Sequence, residues 1–356
     1  MVTNFFLGAN SGDGFQSLYD GFTDPGPLRD LMVLKGGPGV GKSTFMKYIG
    51  KRAEEAGEDV EYIWCSGDPD SLDAVRLSRL GIIAVDGTSP HVVEPKYPAA
   101  ADRYLDLGRF YDVDALKSHR TEVEGYTAAC SGAYRRAYRA FRAAAEVEEE
   151  LREQVTAGWD REKLLRRTEG ILRRELGRRG SGAGTAAERF LGGKTCKGAI
   201  CRYDTALTLT SRAYLLLDSW GLGDTMLQLI AGEAMDRGYD VICCPDPEHP
   251  QRLRHLIVPE AGVCFLTQEG TFPGSPYRRL HLDGLLHPQA LRQNRARVRF
   301  CRRMHRVLLE EGMEALTQAK ASHDLLEQVY HPFVDFSGVQ EVALREWERI
   351  AALLPG

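Results

Sequence analysis

The chain has 356 residues, of which 43% are hydrophobic and 27% are charged, and its formal net charge is -4. This composition is typical of a folded globular protein of two domains and excludes a chain that is disordered throughout. No apolar run approaches the ~20 residues of a membrane helix, and the N-terminal segment lacks the basic region of a secretory signal, so we expect a cytoplasmic protein with no membrane partner. The eight cysteines lack a short-spaced framework and are expected to be free thiols.

The sequence contains two copies of one unit. The Phe-Leu-Gly at 6–8 recurs at 190–192, the Gly-x-Gly at 39–41 recurs at 221–223, and a block that starts at Gly57 recurs from Gly238. Matches that stay in order at nearly constant offset indicate a tandem duplication. A glycine-rich segment at 177–184 predicts a flexible linker between the copies. We therefore expect one domain at 1–178 and a second at 185–356.

Each copy predicts the same α/β unit. Short apolar runs predict strands at 31–35, 59–65 and 81–86 in the first copy, and at 213–217, 239–244 and 262–267 in the second. Apolar runs that alternate with helical periods are typical of βαβ units and a parallel sheet. Helical stripes at 114–176, 289–328 and 340–354 predict packing surfaces. The predicted fold is therefore two tandem P-loop NTPase-like units, each a three-layer αβα sandwich with a parallel sheet that is followed by a long helical hairpin.

A phosphate-binding motif follows the first predicted strand. Positions 36–43 match the pattern G-x-x-x-x-G-K-[ST], between an apolar strand and an amphipathic helix. Glycines let successive N–H groups point at a phosphate, and the helix N-terminus adds partial positive charge. Lys42 is expected to bridge the β- and γ-phosphates, Ser43 to bind Mg²⁺ and Thr44 to support the α-phosphate. The predicted nucleotide site consists of Gly36, Gly37, Pro38, Gly39, Val40, Gly41, Lys42, Ser43 and Thr44.

Carboxylates are predicted at the same edge of the sheet. Asp86 ends an apolar strand, where a P-loop protein holds its metal, so we expect it to bind Mg²⁺ with Ser43 and to serve catalysis with Lys42. Asp68 follows the second strand and is a candidate base that orients a water or an acceptor hydroxyl. The segment at 68–71 is equally a good turn and helix cap. His91 could sense the γ-phosphate, although a loop histidine is usually solvated.

The second copy lacks this chemistry. Asp218 stands where the first glycine is expected, Asp224 stands where the lysine is expected, and Thr267 matches Asp86. Two carboxylates would repel a polyphosphate, so we expect the second copy to cover or regulate the first without binding nucleotide. Arg252 or Arg254 could then reach the first site as a finger.

The nucleotide is predicted to be ATP, because the chain has no Asn-Lys-x-Asp segment that would read guanine. Gly87 follows Asp86 in place of a water-activating glutamate, which favours slow hydrolysis or transfer to an acceptor. With Asp-Gly-Thr-Ser-Pro-His at 86–91 and Glu-Pro-Lys at 94–96, the whole chain resembles a bacterial family of duplicated P-loop ATP-binding proteins. The resemblance implies an ATPase that uses ATP and Mg²⁺, with no assigned substrate. Asp218 and Asp224 depart from the family, in which the second copy can keep its P-loop.

Three other functions stay open at this point. A small-molecule kinase and an ATP-sensing scaffold both fit the motif. A nucleic-acid-associated ATPase is suggested by alternating basic and aromatic residues at 134–142 and by an arginine-rich run at 292–306. Helices that carry Glu and Arg are commonly solvated faces with i,i+4 pairs, so nucleic acid is not the favoured partner.

Overall fold

The computed structural model describes residues 1–24, 29–157, 159–177 and 182–354. We call residues 1–177 the first half and residues 182–354 the second half. Half of the predicted linker, 178–181, lies outside the described residues. The strands of the first half are β1 (Val2–Phe5), β2 (Gly8–Ser11), β3 (Gly14–Ser17), β4 (Asp30–Lys35), β5 (Val60–Trp64), β6 (Leu72–Leu77), β7 (Ile82–Asp86) and β8 (Asp102–Asp106). Its helices are α1 (Tyr19–Thr23), α2 (Lys42–Glu55), α3 (Val113–Lys117), α4 (Arg120–Thr156) and α5 (Arg161–Glu175).

The second half repeats this order of elements. Its strands are β9 (Ala186–Glu188), β10 (Gly192–Thr195), β11 (Gly198–Cys201), β12 (Arg212–Leu217), β13 (Val241–Pro245), β14 (Leu253–Val258), β15 (Val263–Thr267) and β16 (Arg278–His281). Its helices are α6 (Tyr203–Leu209), α7 (Gly223–Asp236), α8 (Pro288–Gln293), α9 (Arg295–Tyr330) and α10 (Phe336–Ala351). The predicted pair of matching α/β units is confirmed.

Each half contains one mixed six-stranded sheet. The strand orders are β1-β5-β6-β7-β4-β8 and β9-β13-β14-β15-β12-β16, which are equivalent position by position. β6 and β14 run antiparallel to both of their neighbours, whereas the other neighbouring strands are parallel. The prediction of a parallel sheet is therefore wrong at one strand in each half. A tight turn joins β6 to β7, and Gly81 in that turn has a φ of 65°, a conformation that favours glycine.

Both faces of each sheet are buried, which explains the continuous apolar runs. In β4, Met32 and Leu34 face a core that they share with α2 and α10. Leu31 and Val33 face a second core, to which the sheet of the other half also contributes. Helices α5 and α7 cover the outer face of the second sheet. The two sheets thus turn their inner faces toward each other.

The long helices pair between the halves. α4 and α9 pack antiparallel, with Phe141 against Gly312 near the middle and Arg297 bound to Glu150 toward one end. α5 then packs on α7 of the second half, while α10 packs on α2 of the first. The predicted hairpin within each copy is therefore wrong, because the apolar stripe of α4 is buried against α9. Although α4 and α9 have 37 and 36 residues, no helix in the described part of the chain is apolar enough to cross a membrane.

A pseudo-twofold relation links the two halves. The N–H of Phe6 donates to the carbonyl of Phe190 at 2.9 Å, and the N–H of Phe190 donates back to Phe6 at 2.9 Å. Beside this bridge, the guanidinium of Arg189 donates to the carboxylate of Glu61 at 2.6 Å, and both side chains are buried. Equivalent residues that exchange equivalent bonds are the signature of an isologous contact.

Candidate functional site

The glycine loop, residues 36–41, connects β4 to α2. Gly39 and Gly41 have φ values of 72° and 95°, which strongly favour glycine at both positions. Gly41 is the N-cap of α2, so no side chain caps the first-turn N–H groups. The ammonium of Lys42 donates to the carbonyl oxygens of Gly36 at 2.6 Å and Gly37 at 3.1 Å. The loop therefore holds the ammonium of Lys42 next to the N-terminus of α2. Both carry positive charge, so this part of the loop is suited to bind an anion.

Asp86 lies beside this loop. β7 pairs with β4 in a register that places Asp86 opposite Leu34. Its Oδ2 lies 3.6 Å from Nζ of Lys42, and the two side chains are only 15% and 12% exposed. The N–H and hydroxyl of Thr88 both donate to Oδ1, at 2.9 and 2.6 Å. The predicted Lys42 and Asp86 are thus brought together, with one carboxylate oxygen held by the strand-end turn and the other directed to the loop.

A second carboxylate, Asp73, lies next to Asp86. The antiparallel register that pairs Ala74 with Val85 places Asp73 opposite Asp86 on the same face of the sheet. The hydroxyl of Tyr19 donates to Oδ2 of Asp73 at 3.1 Å. Burial raises the pKa of Asp73 above its ordinary value; His91 opposes this shift and the charge of Asp86 adds to it. Asp73 was not among the predicted site residues, because Leu72–Leu77 was not predicted to be a strand.

His91 is buried, not solvated. It is only 7% exposed, and its ring stacks on Tyr19 with a centroid distance of 4.7 Å. Its Nε2 lies 3.8 Å from Oδ1 of Asp73, beyond hydrogen-bond distance. Neither ring nitrogen has a hydrogen-bond partner. Asp86, Asp73 and His91 therefore form a row of polar side chains that begins beside Lys42 and ends in a buried, unsatisfied imidazole.

Asp68 is engaged by three donors. Its carboxylate accepts the N–H of Asp70 at 3.1 Å and the hydroxyl of Ser71 at 3.0 Å, and it lies 3.2 Å from Nζ of Lys320. Burial acts to raise its pKa, but these three donors together hold the pKa of Asp68 below its ordinary value. The N–H of Leu72, just beyond this turn, donates to Oγ of Ser43 at 2.9 Å. Asp68 thus stabilises the turn before β6, and the first residue of β6 is in turn bonded to α2.

One face of α9 lies across the glycine loop. Oε1 of Glu327 accepts the N–H of Gly39 at 3.2 Å, and Lys320 on the same face reaches Asp68. Seven residues of helix span about 10 Å, enough to cross the loop and the neighbouring turn. The hydroxyl of Tyr111 donates to the carbonyl of Pro38 at 2.7 Å from a separate segment. These contacts could not be predicted from the sequence, since Glu327 and Gly39 are 288 residues apart.

The corresponding loop of the second half is filled by its own carboxylate. Residues 218–222 connect β12 to α7, one residue fewer than in the glycine loop. The carboxylate of Asp218 accepts the N–H groups of Trp220 at 3.2 Å, Leu222 at 3.0 Å and Gly223 at 2.7 Å. Burial raises the pKa of Asp218 above its ordinary value, against the effect of these three N–H groups. An internal anion thus occupies the N–H groups that an external anion would need.

The alignment of this second loop requires a correction. The N–H of Leu253 donates to Oδ1 of Asp224 at 2.7 Å, as the N–H of Leu72 donates to Ser43. Asp224 therefore occupies the position of Ser43, and Gly223, the first residue of α7, occupies the position of Lys42. The prediction that Asp224 replaces the lysine was wrong by one position, because the shorter loop was not recognised.

The carboxylate pair of the first half is also absent from the second. The register that pairs His255 with Leu266 places Arg254 opposite Thr267, where the first half has Asp73 and Asp86. Arg254 donates to Asp246 at 2.8 Å, and Arg252 donates to Glu149 at 2.8 Å. Neither arginine is directed at the glycine loop, so the predicted finger from Arg252 or Arg254 is wrong. Lys320, and not an arginine, is the cation that the second half places beside Asp68 among the described residues.

Cys201, His255 and Glu269 cluster in the second half at distances compatible with a metal ion. However, Nδ1 of His255 accepts the N–H of Thr267 at 3.1 Å, so a neutral ring carries its proton on Nε2. That nitrogen faces Oε1 of Glu269 at 3.3 Å, and Glu269 also binds Arg254. The cluster is therefore satisfied by hydrogen bonds and ion pairs without a metal.

Comparisons of the chain with protein families, with curated proteins and with solved structures gave no match. What the chain can do chemically therefore rests on its own geometry. The first half presents uncapped helix N–H groups, a lysine within a curled loop and paired carboxylates at one sheet edge.

Proposed function

We propose that the chain binds ATP with Mg²⁺ at the glycine loop of the first half and is a slow ATP hydrolase. The observation that carries this proposal is the convergence of Lys42, the loop carbonyls and Asp86 within 4 Å at the N-terminus of α2. Lys42 would leave the carbonyls for the β- and γ-phosphate oxygens, while the first-turn N–H groups would bind the same phosphates. Gly36, Gly37, Pro38, Val40 and Thr44 complete the proposed nucleotide site.

The donor set fits Mg²⁺, which prefers hard oxygen ligands and keeps several waters. Ser43 and Asp86 would hold the ion, since Oγ of Ser43 keeps a lone pair beyond its bond with Leu72 and Oδ2 of Asp86 faces the loop. The ion would neutralise charge that develops on the phosphate oxygens. Thr88 keeps Asp86 oriented through its two hydrogen bonds.

We propose that the second half regulates this site without binding nucleotide. Asp218 fills its loop, Gly223 replaces the lysine, and Arg254 with Thr267 replaces the carboxylate pair. The second half nevertheless reaches the first site, because α9 places Glu327 and Lys320 on it. The second half would therefore contribute a contact with the glycine loop and not a second site of ATP hydrolysis.

Transfer of the γ-phosphoryl group to a small molecule is the second candidate, since Asp73 and His91 form a polar group beyond Asp86. A nucleic-acid role receives less support. Tyr134, Tyr138 and Phe141 of the basic-aromatic segment pack between α4 and α9, which removes their faces from base stacking. Arg136 and Arg297 pair with glutamates on the opposing helix.

Isothermal titration of the full chain with ATP and Mg²⁺ tests the proposed stoichiometry. We expect one nucleotide per chain, because of the two corresponding loops the first offers uncapped helix N–H groups and a lysine, whereas Asp218 fills the second. Binding should weaken when Mg²⁺ is chelated. Two nucleotides per chain would show that the second half is also a binding site, and the absence of binding would remove the proposal.

Glu327→Gln should tighten ATP binding about three- to tenfold, because the carboxylate competes with the triphosphate for the N–H of Gly39 and repels it. The gain should be largest for ATP and smallest for AMP in fluorescent-nucleotide titrations. Glu341→Gln, an exposed glutamate on α10, is the matched control and should leave affinity unchanged. Equal affinities for the wild type and the Glu327→Gln variant would contradict a competing carboxylate.

A further inference from the structure

His91 is a buried histidine whose ring nitrogens form no hydrogen bond. Its side chain is 6% exposed, and neither ring nitrogen has a partner. A buried polar group that lacks partners destabilises the folded state, so its persistence in a packed site calls for an explanation. Phe15 and Tyr19 flank the ring with centroid distances of 5.9 and 4.7 Å, which fixes its plane. The imidazole is therefore held rigidly with its two polar atoms unused.

The position of His91 relates it to the glycine loop. Lys42 approaches Asp86, Asp86 lies opposite Asp73 across the ladder, and Asp73 lies 3.8 Å from His91. Tyr19 donates to the other oxygen of Asp73, so Oδ1 is directed at the imidazole. A ligand oxygen that bonds to His91 would lie next to this carboxylate pair.

The second half provides an internal comparison. Tyr203 occupies the position of Tyr19, and two rings contact it, Phe272 with a centroid distance of 5.2 Å and His255 with one of 6.4 Å. Phe272 occupies the position of His91 in the repeat, and Arg254 occupies that of Asp73. The half with the filled loop thus has phenylalanine at the position of His91, and the imidazole that contacts Tyr203 there, His255, comes from β14 and accepts the N–H of Thr267. The ring contact alone can therefore be made by phenylalanine, which leaves the nitrogens of His91 without a packing role.

We propose that His91, supported by Asp73 and Tyr19, binds the oxygen nucleophile that attacks ATP, either water or the hydroxyl of a small acceptor. This inference rests on the proposed function. The nucleophile oxygen forms a bond to the γ-phosphorus, the bond from that phosphorus to the bridging oxygen breaks, and ADP leaves with the electron pair. The proton of the nucleophile passes to a ring nitrogen of His91 and then to solvent, with Asp73 close enough to stabilise the imidazolium.

His91→Phe separates this role from a packing role. The substitution keeps the ring against Tyr19, as in the second half, and removes both unpartnered nitrogens. We expect a thermal midpoint at or above that of the wild type, ATP affinity within about twofold, and a turnover rate lower by about 100-fold or more. His91→Gln, which keeps a donor and an acceptor, should retain part of the turnover and guards against overpacking by phenylalanine.

The control is His255→Phe, because His255 is the buried histidine of the second half and accepts the N–H of Thr267 at 3.1 Å. It should lower the thermal midpoint and leave turnover per folded molecule unchanged. Turnover is followed as ADP formation in water alone and in water with glycerol, with ³¹P NMR to identify the product. Inorganic phosphate as the sole product supports water as the nucleophile, and glycerol phosphate supports an acceptor hydroxyl.

The outcomes separate the two proposals. Wild-type turnover by both His91 variants in both conditions would overturn the role of His91. ATP binding by the wild type without turnover in either condition would overturn it as well. Failure of the wild type to bind ATP would instead remove the proposed function itself.

Discussion

Lys42→Ala is expected to weaken ATP binding by about 100-fold or more, which corresponds to ~2.7 kcal/mol. Nζ of Lys42 is held inside the glycine loop by two carbonyl oxygens and lies 3.6 Å from Asp86. Its loss would remove the cation that bridges the β- and γ-phosphates and would leave Asp86 facing them alone. Isothermal titration with ATP and Mg²⁺ measures the effect, and circular dichroism confirms that the variant is folded.

Two variants serve as controls for Lys42→Ala. Lys47→Ala removes a lysine about one and a half turns further along α2, where the ammonium bonds to the carbonyl of Asp70, and should change affinity little. Asp224→Ala removes the acceptor of the Leu253 N–H in the second half and should leave ATP binding nearly intact. Equal losses for Asp224→Ala and Lys42→Ala would show that the second half is a working site.

The sequence predicted those parts of the fold that depend on local pattern. β4, β5 and β7 lie within about one residue of the predicted strands, because short apolar runs between turn residues identify buried strands. The sequence matches that recur in the same order in both copies also predicted two matching units. β6 was missed because its first residues, Leu72 and Asp73, continue an acidic turn-like segment. That omission hid the antiparallel strand that places Asp73 beside Asp86.

The rest of the site depends on contacts between distant segments, which no local pattern encodes. Glu327 and Lys320 have the spacing of a solvated helix face, yet both contact the first half. The unpaired nitrogens of His91 likewise follow from how Phe15 and Tyr19 enclose it. The glycine loop could be predicted because one strand, one loop and one helix in direct succession build it. The packing of α9 could not be predicted, because which faces of α4 and α9 are buried depends on their contact with each other. That contact forms only when the two halves come together.

Glu61→Met should lower the free energy of unfolding by about 3–5 kcal/mol, because it leaves buried arginine charge without its carboxylate. Arg189 donates to Glu61 at 2.6 Å across the two halves, and both side chains are nearly inaccessible. Arg76 also interacts electrostatically with the carboxylate of Glu61, and its buried Nε has no hydrogen-bond partner. Burial lowers the pKa of Arg76, and the charge of Glu61 opposes that shift. Chemical denaturation followed by circular dichroism measures the loss.

The double variant Glu61→Met with Arg189→Met is expected to recover most of that loss, because it replaces the pair by apolar side chains of similar length. Glu150→Met provides the exposed counterpart. Glu150 also pairs between the halves, with Arg297, but the two side chains are 49% and 44% exposed, so the loss should stay below about 1 kcal/mol. Losses of the same size for Glu61→Met and Glu150→Met would mean that burial does not set the strength of the contact. A large loss at Glu61 alone would show that the buried pair with Arg189 holds the two halves together more strongly than the exposed pair of Glu150 with Arg297.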